Sequence, residues 1–237
     1  QAFYLTNKAF DIAERFQIPA FILFDQYLAD SAWTFGRFDL SKIKYNDYRL
    51  RGNDFKKLAS YKRHAFTDTG VSPLAVPGDA RHEVVRDSDE HNEEGHIVED
   101  AEKRIKMVQK RLLKKIPLIR QEMSQPILYG ADKPDIVIVG WGSTYGVMKE
   151  AVDELAKAMS IAMLHFCEIY PFPSSPEFLQ ILNKAKKTIC VENNATGQFA
   201  RLMRAEAGYE FKSRINKYDG RPFIIEDLIG EINAVIG

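Results

Sequence analysis

The sequence predicts an α/β protein in which residues 134–237 form a doubly wound parallel sheet. Two observations support this prediction. Short apolar segments alternate with helical patterns along this region. The apolar segments, which predict strands, are residues 136–139, 161–166, 188–191 and 211–215. The predicted helices lie near residues 144–158, 176–185, 198–207 and 225–235. Alternation of strand and helix is typical of βαβ units, and continuous runs rich in Val and Ile are typical of parallel strands buried on both faces.

The first residues of the chain predict one helix and one strand. Apolar residues between Phe3 and Phe16 follow a helical stripe, which Ile18-Pro19 ends because proline disfavours helix in its predecessor. Residues 20–24 are a continuous apolar run that predicts a buried strand. One helix and one strand cannot form a domain, so we expect the missing strands to come from residues outside this chain or from a partner. The lack of an initiator Met before Gln1 likewise predicts that this chain is the later part of a longer polypeptide.

Residues 32–98 predict a long irregular arm, because they show no sustained strand or helix period and are interrupted by glycine and proline. The arm is rich in aromatic residues, which either form a subunit interface or pack over their own domain. A helix is predicted over residues 100–116. Acidic residues at the start of this helix and basic residues along it either match the helix dipole or mark an acidic partner patch beside a basic one. We expect a buried stripe at Ile105, Val108, Leu112 and Ile116.

Composition restricts the classes of partner and cofactor. The 33 basic and 33 acidic residues give zero net charge, which predicts neither nucleic acid nor an anionic membrane as a partner. No apolar run is long enough for a spanning helix, and the expected location is the cytoplasm. Cys167 and Cys190 are too few for a four-cysteine zinc site or an iron–sulfur cluster, so any redox centre is expected elsewhere. His91 and His96 lie among carboxylates without tight helical ligand spacing, and no metal site is assigned.

The first of two polar turns follows the predicted strand at 136–139. Its candidate residues are Gly140, Gly142, Ser143 and Thr144. The glycines allow a tight turn, and Ser143 is expected to cap the next helix. Free amides in this turn either hold an anion or belong to a glycine turn that serves only helix packing. The Gly-x-Gly-x-x-x-Gly spacing differs from the dinucleotide-binding fingerprint, which argues against a nicotinamide dehydrogenase.

The second polar turn, residues 192–198, follows the strand at 188–191. Open α/β sheets bind ligands or partners at this edge. The candidate residues are Glu192, Asn193, Asn194, Gly197 and Gln198. Their side chains either cap the following helix or contact a ligand or partner. The sequence contains no nucleophile elbow and no Ser-His-Asp pattern, so no catalytic residue is assigned.

Six motifs in a fixed order together resemble one family. They are residues 24–31, 68–73 with Pro77-Gly78, 90–93 with Gly95-His96, 140–146, 192–198 and 217–222. The series is similar to the α subunit of 2-oxoacid:ferredoxin oxidoreductases, here the C-terminal portion, and it spans nearly the whole chain. The last motif adds Asp219 and Arg221 to the turn candidates.

The resemblance implies coenzyme A-dependent oxidative decarboxylation of a 2-oxoacid to an acyl-CoA, with ferredoxin as electron acceptor. In this family thiamine diphosphate, Mg²⁺ and a 4Fe–4S cluster belong mainly to a β subunit. The resemblance therefore implies a hetero-oligomer, with γ and δ subunits as further candidate partners, and a chain that is inactive alone. It also implies three regions: residues 1–31 as the end of a pyrimidine-binding domain, 32–133 as a connecting arm and linker helix, and 134–237 as a transketolase C-terminal-like domain.

The chain departs from the family pattern at residues that take part in catalysis and substrate binding. The glutamate that activates the cofactor and the substrate loop of relatives lie upstream and do not occur here. The substrate-side candidates are Asp25, Tyr27, Ser72, Pro73 and Leu74. Many relatives that use 2-oxoglutarate carry an arginine where this chain has Leu74, which favours an apolar or small 2-oxoacid. Two other classes stay open: a subunit of a non-redox thiamine enzyme of transketolase or 2-oxoacid dehydrogenase type, and a structural or regulatory module.

Overall fold

The computed structural model describes residues 1–32, 34–78, 82–173 and 177–237. The chain forms two compact units. The arm unit comprises Gln1–Ile22 with Gly36–Glu122, and the sheet unit comprises Leu23–Phe35 with Met123–Gly237. The three-region division expected from the sequence stays a prediction. In the described part of the chain, no helix is long and apolar enough to cross a membrane.

The arm unit combines helices with a long irregular segment. Helix α1 (Ala2–Phe16) ends at Gln17, whose backbone is left-handed with φ 53°. Helix α3 (Ala101–Gln109) continues through a π-helical turn (Lys110–Lys115) into α4 (Ile116–Glu122). Between α1 and α3, the described residues of this unit contain two short 3₁₀ turns and isolated bridges, as the sequence predicts. Some arm aromatics pack locally, such as Phe38 stacked on Phe3 at 4.1 Å, whereas the Tyr45 side chain is 82% exposed.

The stripe expected on the predicted helix at 100–116 is wrong. Ile105 and Leu112 are exposed. The buried face consists instead of Met107, Lys110, Lys115 and Ile119. The π-helical turn inserts extra residues into the helical repeat, which moves Leu112 off the buried face. Ile105 lies before this turn, on the side of α3 opposite the buried Met107.

The sheet unit contains five strands in the order β1-β3-β2-β4-β5. The strands are β1 (Ile127–Gly130), β2 (Ile136–Trp141), β3 (Ile161–Phe166), β4 (Lys187–Glu192) and β5 (Ser213–Asn216). Strands β2 to β5 pair in parallel, whereas β1 lies antiparallel to β3 at the sheet edge. The sheet is thus mixed rather than wholly parallel. Strand β1 was missed because it is short and half-exposed, without the continuous apolar run of its neighbours.

Helices cover both faces of the sheet, which confirms the doubly wound arrangement. The helices of this unit are α2 (Gln26–Asp30), α5 (Tyr145–Leu155), α6 (Glu177–Lys184), α7 (Gln198–Ala207) and α8 (Ile225–Ile236). One core joins Ile138 and Met163 to α5 and α8. The other joins Val139 and Leu164 to α6 and α7. Alternate residues of each central strand therefore enter opposite cores, as the period of two requires.

The strand predicted at residues 20–24 is not formed within this chain, and since its partner strands were expected outside the chain it stays a prediction. These residues have no strand conformation, and the Phe21, Leu23 and Phe24 side chains are 82%, 70% and 65% exposed. A strand exists only through hydrogen bonds to a neighbour, and no described strand pairs with this run. Apolar composition alone could not supply that partner.

Candidate functional site

The two polar turns lie side by side at one edge of the sheet. Strands β2 and β4 are parallel neighbours, with Val139 opposite Cys190. Both strands therefore end at the same edge, which also receives the carboxyl ends of β3 and β5. The Trp141 indole links the two turns, because its Nε1 lies 3.4 Å from Glu192 Oε2. This edge is the region in which open α/β sheets bind ligands.

The first turn depends on glycine for two separate reasons. A Cβ at Gly140 would lie 2.3 Å from Met148 Sδ and 2.6 Å from Thr144 Oγ1, so only a hydrogen fits beneath helix α5. Gly142 has φ 61°, a left-handed conformation that glycine adopts without steric cost. The carbonyl oxygen of Gly142 lies 2.9 Å from Nε2 of the buried His165. The turn is consequently held from below by strand β3.

The structure brings Asp25 and Ser143 together although 118 positions separate them in the sequence. The Ser143 hydroxyl donates to Asp25 Oδ2. Asp25 Oδ1 accepts from the Leu28 amide at 2.9 Å and so caps α2. The expected cap of α5 by Ser143 is wrong, since α5 has no side-chain cap and Thr144 Oγ1 donates back to the Trp141 carbonyl. The Asp25 carboxylate beside this turn also makes it unfavourable for an anion.

The second turn is organised around a buried carboxylate. Glu192 is 1% exposed. Its Oε2 accepts from the Phe199 amide at 2.8 Å, and its Oε1 accepts from the Ala200 amide at 3.1 Å. Asn194 Oδ1 accepts from the Gln198 amide at 3.1 Å, while Asn194 Nδ2 donates to Glu192 Oε2 at 2.7 Å. The capping interpretation of this turn is confirmed for Glu192 and Asn194.

These contacts leave little for an anion at the start of α7. The amides of Gln198, Phe199 and Ala200 already donate to side-chain oxygens. A negative charge already lies there, which stabilises the helix dipole and repels a second anion. Gly197, at φ 64°, provides the left-handed residue that enters the helix. Asn193 and Gln198 are exposed to solvent and stay candidates for contact with a partner.

Asp219 and Arg221 form a third turn at the same edge. Lys217 donates through its backbone amide to the Glu192 carbonyl at 3.0 Å, which joins this turn to the second one. Its ammonium group donates to Asp219 Oδ2 at 2.8 Å, and the Arg221 amide donates to Asp219 Oδ1 at 3.0 Å. The Lys217 hydrogen bond holds the pKa of Asp219 below its usual value. The Arg221 side chain itself is exposed.

The substrate-side candidates divide between the two units. Tyr27, in the sheet unit, is 51% exposed. Ser72, in the arm unit, is 5% exposed; its hydroxyl donates to the Ala65 carbonyl at 2.9 Å and accepts from Lys110 Nζ at 2.6 Å. Both hydrogen-bonding roles of this hydroxyl are therefore used inside the protein. Pro73 is half-buried beside it, and Leu74 lines an open cleft of about 360 Å³.

Sequence reasoning missed a group of buried cations in the arm unit. Arg63, Lys110 and Lys115 are 4%, 5% and 7% exposed. Burial lowers the pKa of Lys110 to about 7 and that of Lys115 to about 8. Burial also lowers the pKa of the neighbouring His64 to about 3. Composition and periodicity do not signal such a group, because lysine and arginine are expected on the surface.

The described residues do not build a site for a metal or a cluster. No group of three or more His, Cys, Asp or Glu residues comes together in these parts of the chain. Cys190 is 1% exposed, and burial raises the pKa of its thiol. Burial likewise raises the pKa of Cys167. Neither cysteine has the lowered pKa of a reactive thiol or metal ligand.

Comparison with known proteins identifies related chains over the full length. Residues 134–228 match the profile of the pyruvate:ferredoxin oxidoreductase core domain II. The chain is 32% identical over 242 positions to the α subunit of 2-oxoacid:ferredoxin oxidoreductase 1 of Sulfurisphaera tokodaii. It is also 32% identical over 242 positions to the α subunit of 2-oxoacid:ferredoxin oxidoreductase 2 of Aeropyrum pernix. Both matches cover 100% of this chain, which spans about 37% of the length of each relative.

A solved structure has the same fold. It is the 2-oxoglutarate:ferredoxin oxidoreductase from Magnetococcus marinus with 2-oxoglutarate, coenzyme A and succinyl-CoA bound. The match has a TM-score of 0.84 and 26% sequence identity, and it covers 95% of this chain and 39% of that chain. The similarity therefore extends beyond the region of the core domain II profile.

Proposed function

We propose that this chain works as part of the α subunit of a 2-oxoacid:ferredoxin oxidoreductase, the class of protein to which it is similar along its whole length. The proposed reaction is the coenzyme A-dependent oxidative decarboxylation of a 2-oxoacid to an acyl-CoA, with ferredoxin accepting the electrons. The observation that carries the proposal is sequence identity of 32% along the whole chain with α subunits of this enzyme class. The fold match to an enzyme with bound 2-oxoglutarate and coenzyme A supports it further.

The described residues of this chain do not fit the redox group or the cofactor by themselves. Among the described residues, Glu192 is the one buried acid, and its two oxygens already accept hydrogen bonds from the start of α7 and its neighbours. It is therefore unsuited to activate thiamine diphosphate as a general acid or base. The cysteines likewise provide no cluster site. We assign thiamine diphosphate, Mg²⁺ and the 4Fe–4S cluster to a β subunit, and no catalytic residue to this chain.

The contribution of this chain is proposed to be assembly and part of the active-site surround. The edge that carries Asp25, Ser143 and Glu192 is rigid, because each polar side chain is held by a named partner. Rigid elements position reacting groups more precisely than free loops do. The exposed apolar run at residues 20–24 and the exposed arm aromatics are the candidate contacts to other subunits. The proposed assembly is a cytoplasmic hetero-oligomer.

The proposal is tested by purifying the tagged natural protein from its own cells. The isolate is assayed for coenzyme A-dependent viologen reduction with pyruvate, 2-oxoglutarate and 2-oxoisovalerate, beside this 237-residue chain alone. We expect a cluster-bearing partner to copurify and only the assembly to be active. Copurification without a cluster protein, or activity independent of coenzyme A, would contradict the proposal.

A matched pair of variants tests the role of the sheet edge. Asp25→Asn removes the charge that accepts from Ser143, whereas Asp30→Asn makes the same chemical change in the same helix, where the carboxylate contacts only Gln26. In the assembled enzyme we expect Asp25→Asn to lower kcat/KM by about fivefold or more, and Asp30→Asn to leave it within about twofold. Equal effects of the two variants would exclude the edge from the active-site surround.

A further inference from the structure

The arm unit contains an open cleft of about 360 Å³ that none of the contacts described above uses. Its lining includes Glu14, Gln17, Ile18, Arg63, Leu74 and Arg86, all within one unit. This volume lies in the range of small-molecule sites. The lining combines apolar side chains with two guanidinium groups, which is the composition expected for a ligand with one charged end.

Arg63 lines this cleft, and one nitrogen of its guanidinium group has no hydrogen-bond partner. The residue is 4% exposed. Its Nη1 donates to Gln17 Oε1 at 2.6 Å, whereas its Nε is buried without a hydrogen-bond partner. Gln17 is itself anchored, because its Nε2 donates to the Ser72 carbonyl at 2.5 Å. Buried polar groups are normally paired, so the Arg63 guanidinium keeps unused donor capacity beside the cleft that this residue lines.

The surroundings of Arg63 add positive charge without a buried counterion. Lys110 Nζ donates to the His64 carbonyl and to Ser72 Oγ, both at 2.6 Å. Lys115 Nζ donates to the Phe16 carbonyl at 2.8 Å. All three acceptors are neutral, and no carboxylate is buried in the described part of this unit. Burying cations without a paired anion is costly, and an incoming anion would offset that cost.

The charged groups that face the cleft leave it net positive. Arg86 is exposed and makes no ion pair with any described residue. Glu14 is the one acid in the described lining. Glu93, whose charge acts on Lys110, is already engaged by Lys62 Nζ at 3.1 Å and by the Phe66 amide at 3.0 Å.

We propose that this cleft binds an oxyanion, the carboxylate or phosphate group of a small molecule, between Arg63 and Arg86. Gln17 holds the Arg63 guanidinium in place, and guanidinium groups form charge-assisted hydrogen bonds with both kinds of oxyanion. Ile18 and Leu74 provide apolar contact for the part of the ligand next to the charged group. The cleft shares Leu74 with the substrate-side candidates, but the proposal is tested by binding to this chain alone and not by turnover.

The test is calorimetric titration of the 237-residue chain with inorganic phosphate and, separately, with succinate, at constant ionic strength set by chloride. Arg86→Gln removes an exposed guanidinium, so it should preserve the fold. It should weaken oxyanion binding by about tenfold, the effect of losing one charge-assisted pair. Arg37→Gln makes the same change at an exposed arginine outside the cleft and should change affinity less than about twofold.

Two further variants separate binding from folding. Glu14→Gln removes the acid of the lining and should tighten binding by about threefold through reduced repulsion. Arg63→Gln should abolish binding; if that chain fails to fold, the Arg86 and Glu14 variants decide the question. Binding of phosphate alone identifies a phosphate ligand, and binding of succinate alone identifies a carboxylate ligand. No saturable binding of either, or equal losses for Arg86→Gln and Arg37→Gln, overturns the proposal.

Discussion

Replacing Glu192 by alanine should destabilise the sheet unit by about 3 to 5 kcal/mol, and the contacts of the carboxylate set this magnitude. Its removal leaves the amides of Phe199 and Ala200, which lie at 2.8 and 3.1 Å, without acceptors in a buried site. Each unpaired buried donor costs about 1 to 3 kcal/mol. Loss of the helix cap is part of the same effect, and the Asn194 amide loses its acceptor as well.

The isosteric change Glu192→Gln separates shape from hydrogen bonding. The glutamine oxygen can replace only one of the two carboxylate oxygens, so its amide group must face a backbone donor of α7. We expect a loss of about 2 kcal/mol. Glu231→Ala, at an exposed position of α8, is the control and should stay within about 0.5 kcal/mol of the parent.

The assay combines urea unfolding with native-state hydrogen exchange. Urea unfolding followed by circular dichroism reports the free energy of unfolding, and an unchanged m-value shows that the transition is comparable among variants. Hydrogen exchange measures protection of the amides of Phe199 and Ala200 individually. If Glu192→Ala unfolds within about 1 kcal/mol of the control variant, or if exchange in α7 is unchanged, the assignment of Glu192 as the cap is refuted.

Three other predictions concern the first turn, the buried cations and the substrate. Gly140→Ala should cost about 2 kcal/mol in urea unfolding because its Cβ would lie 2.3 Å from a methionine sulfur, and Gly142→Ala should cost about 1 kcal/mol because φ is 61°. Gly146→Ala, inside helix α5 with open space around it, should stabilise the protein by about 0.5 to 1 kcal/mol. Equal losses at all three would contradict this. The Lys110 pKa is lowered from 10.5 to about 7, so between these values the unfolded chain binds more protons, and the free energy of unfolding should rise with pH. Lys110→Met should flatten that rise, and parallel curves for the two proteins would show that Lys110 is not its source. The Leu74 side chain cannot donate to a second carboxylate as an arginine at this position would, so in the assembled enzyme kcat/KM should be lower for 2-oxoglutarate than for pyruvate or 2-oxoisovalerate; a preference for 2-oxoglutarate would disprove it.

The elements that the sequence predicts well are those with a local physical cause. Helix α7 begins and ends at the predicted residues, and strand β3 covers the predicted 161–166. Both have strong apolar patterns of the correct period. Strand β1 lacks such a pattern, and residues 20–24 have the pattern of a buried strand without a described partner strand. Strand formation depends on a neighbour, which composition within a segment does not specify.

The candidate site shows the same division. The two turns at the sheet edge were identifiable because strand ends and glycine spacing are local features, and their adjacency follows from parallel pairing. The pairing of Asp25 with Ser143 was not identifiable, since 118 positions separate them. The sequence predicted that side chains of the second turn either cap the following helix or contact a ligand or partner. It did not identify Glu192 as the cap, because the sequence does not show which oxygen reaches which amide.

By itself, the sequence determined the α/β class, the four parallel strands, the positions of both polar turns and the resemblance to an oxidoreductase subunit. These follow from periodicity and from motif order, which are properties of the chain read in one dimension. Only the tertiary structure decided that Ser143 contacts Asp25 rather than capping α5, and that Lys110 and Lys115 face inward beside Arg63. The physical reason is that burial of a charge and choice of a hydrogen-bond partner depend on distances between segments remote in sequence, which packing alone sets.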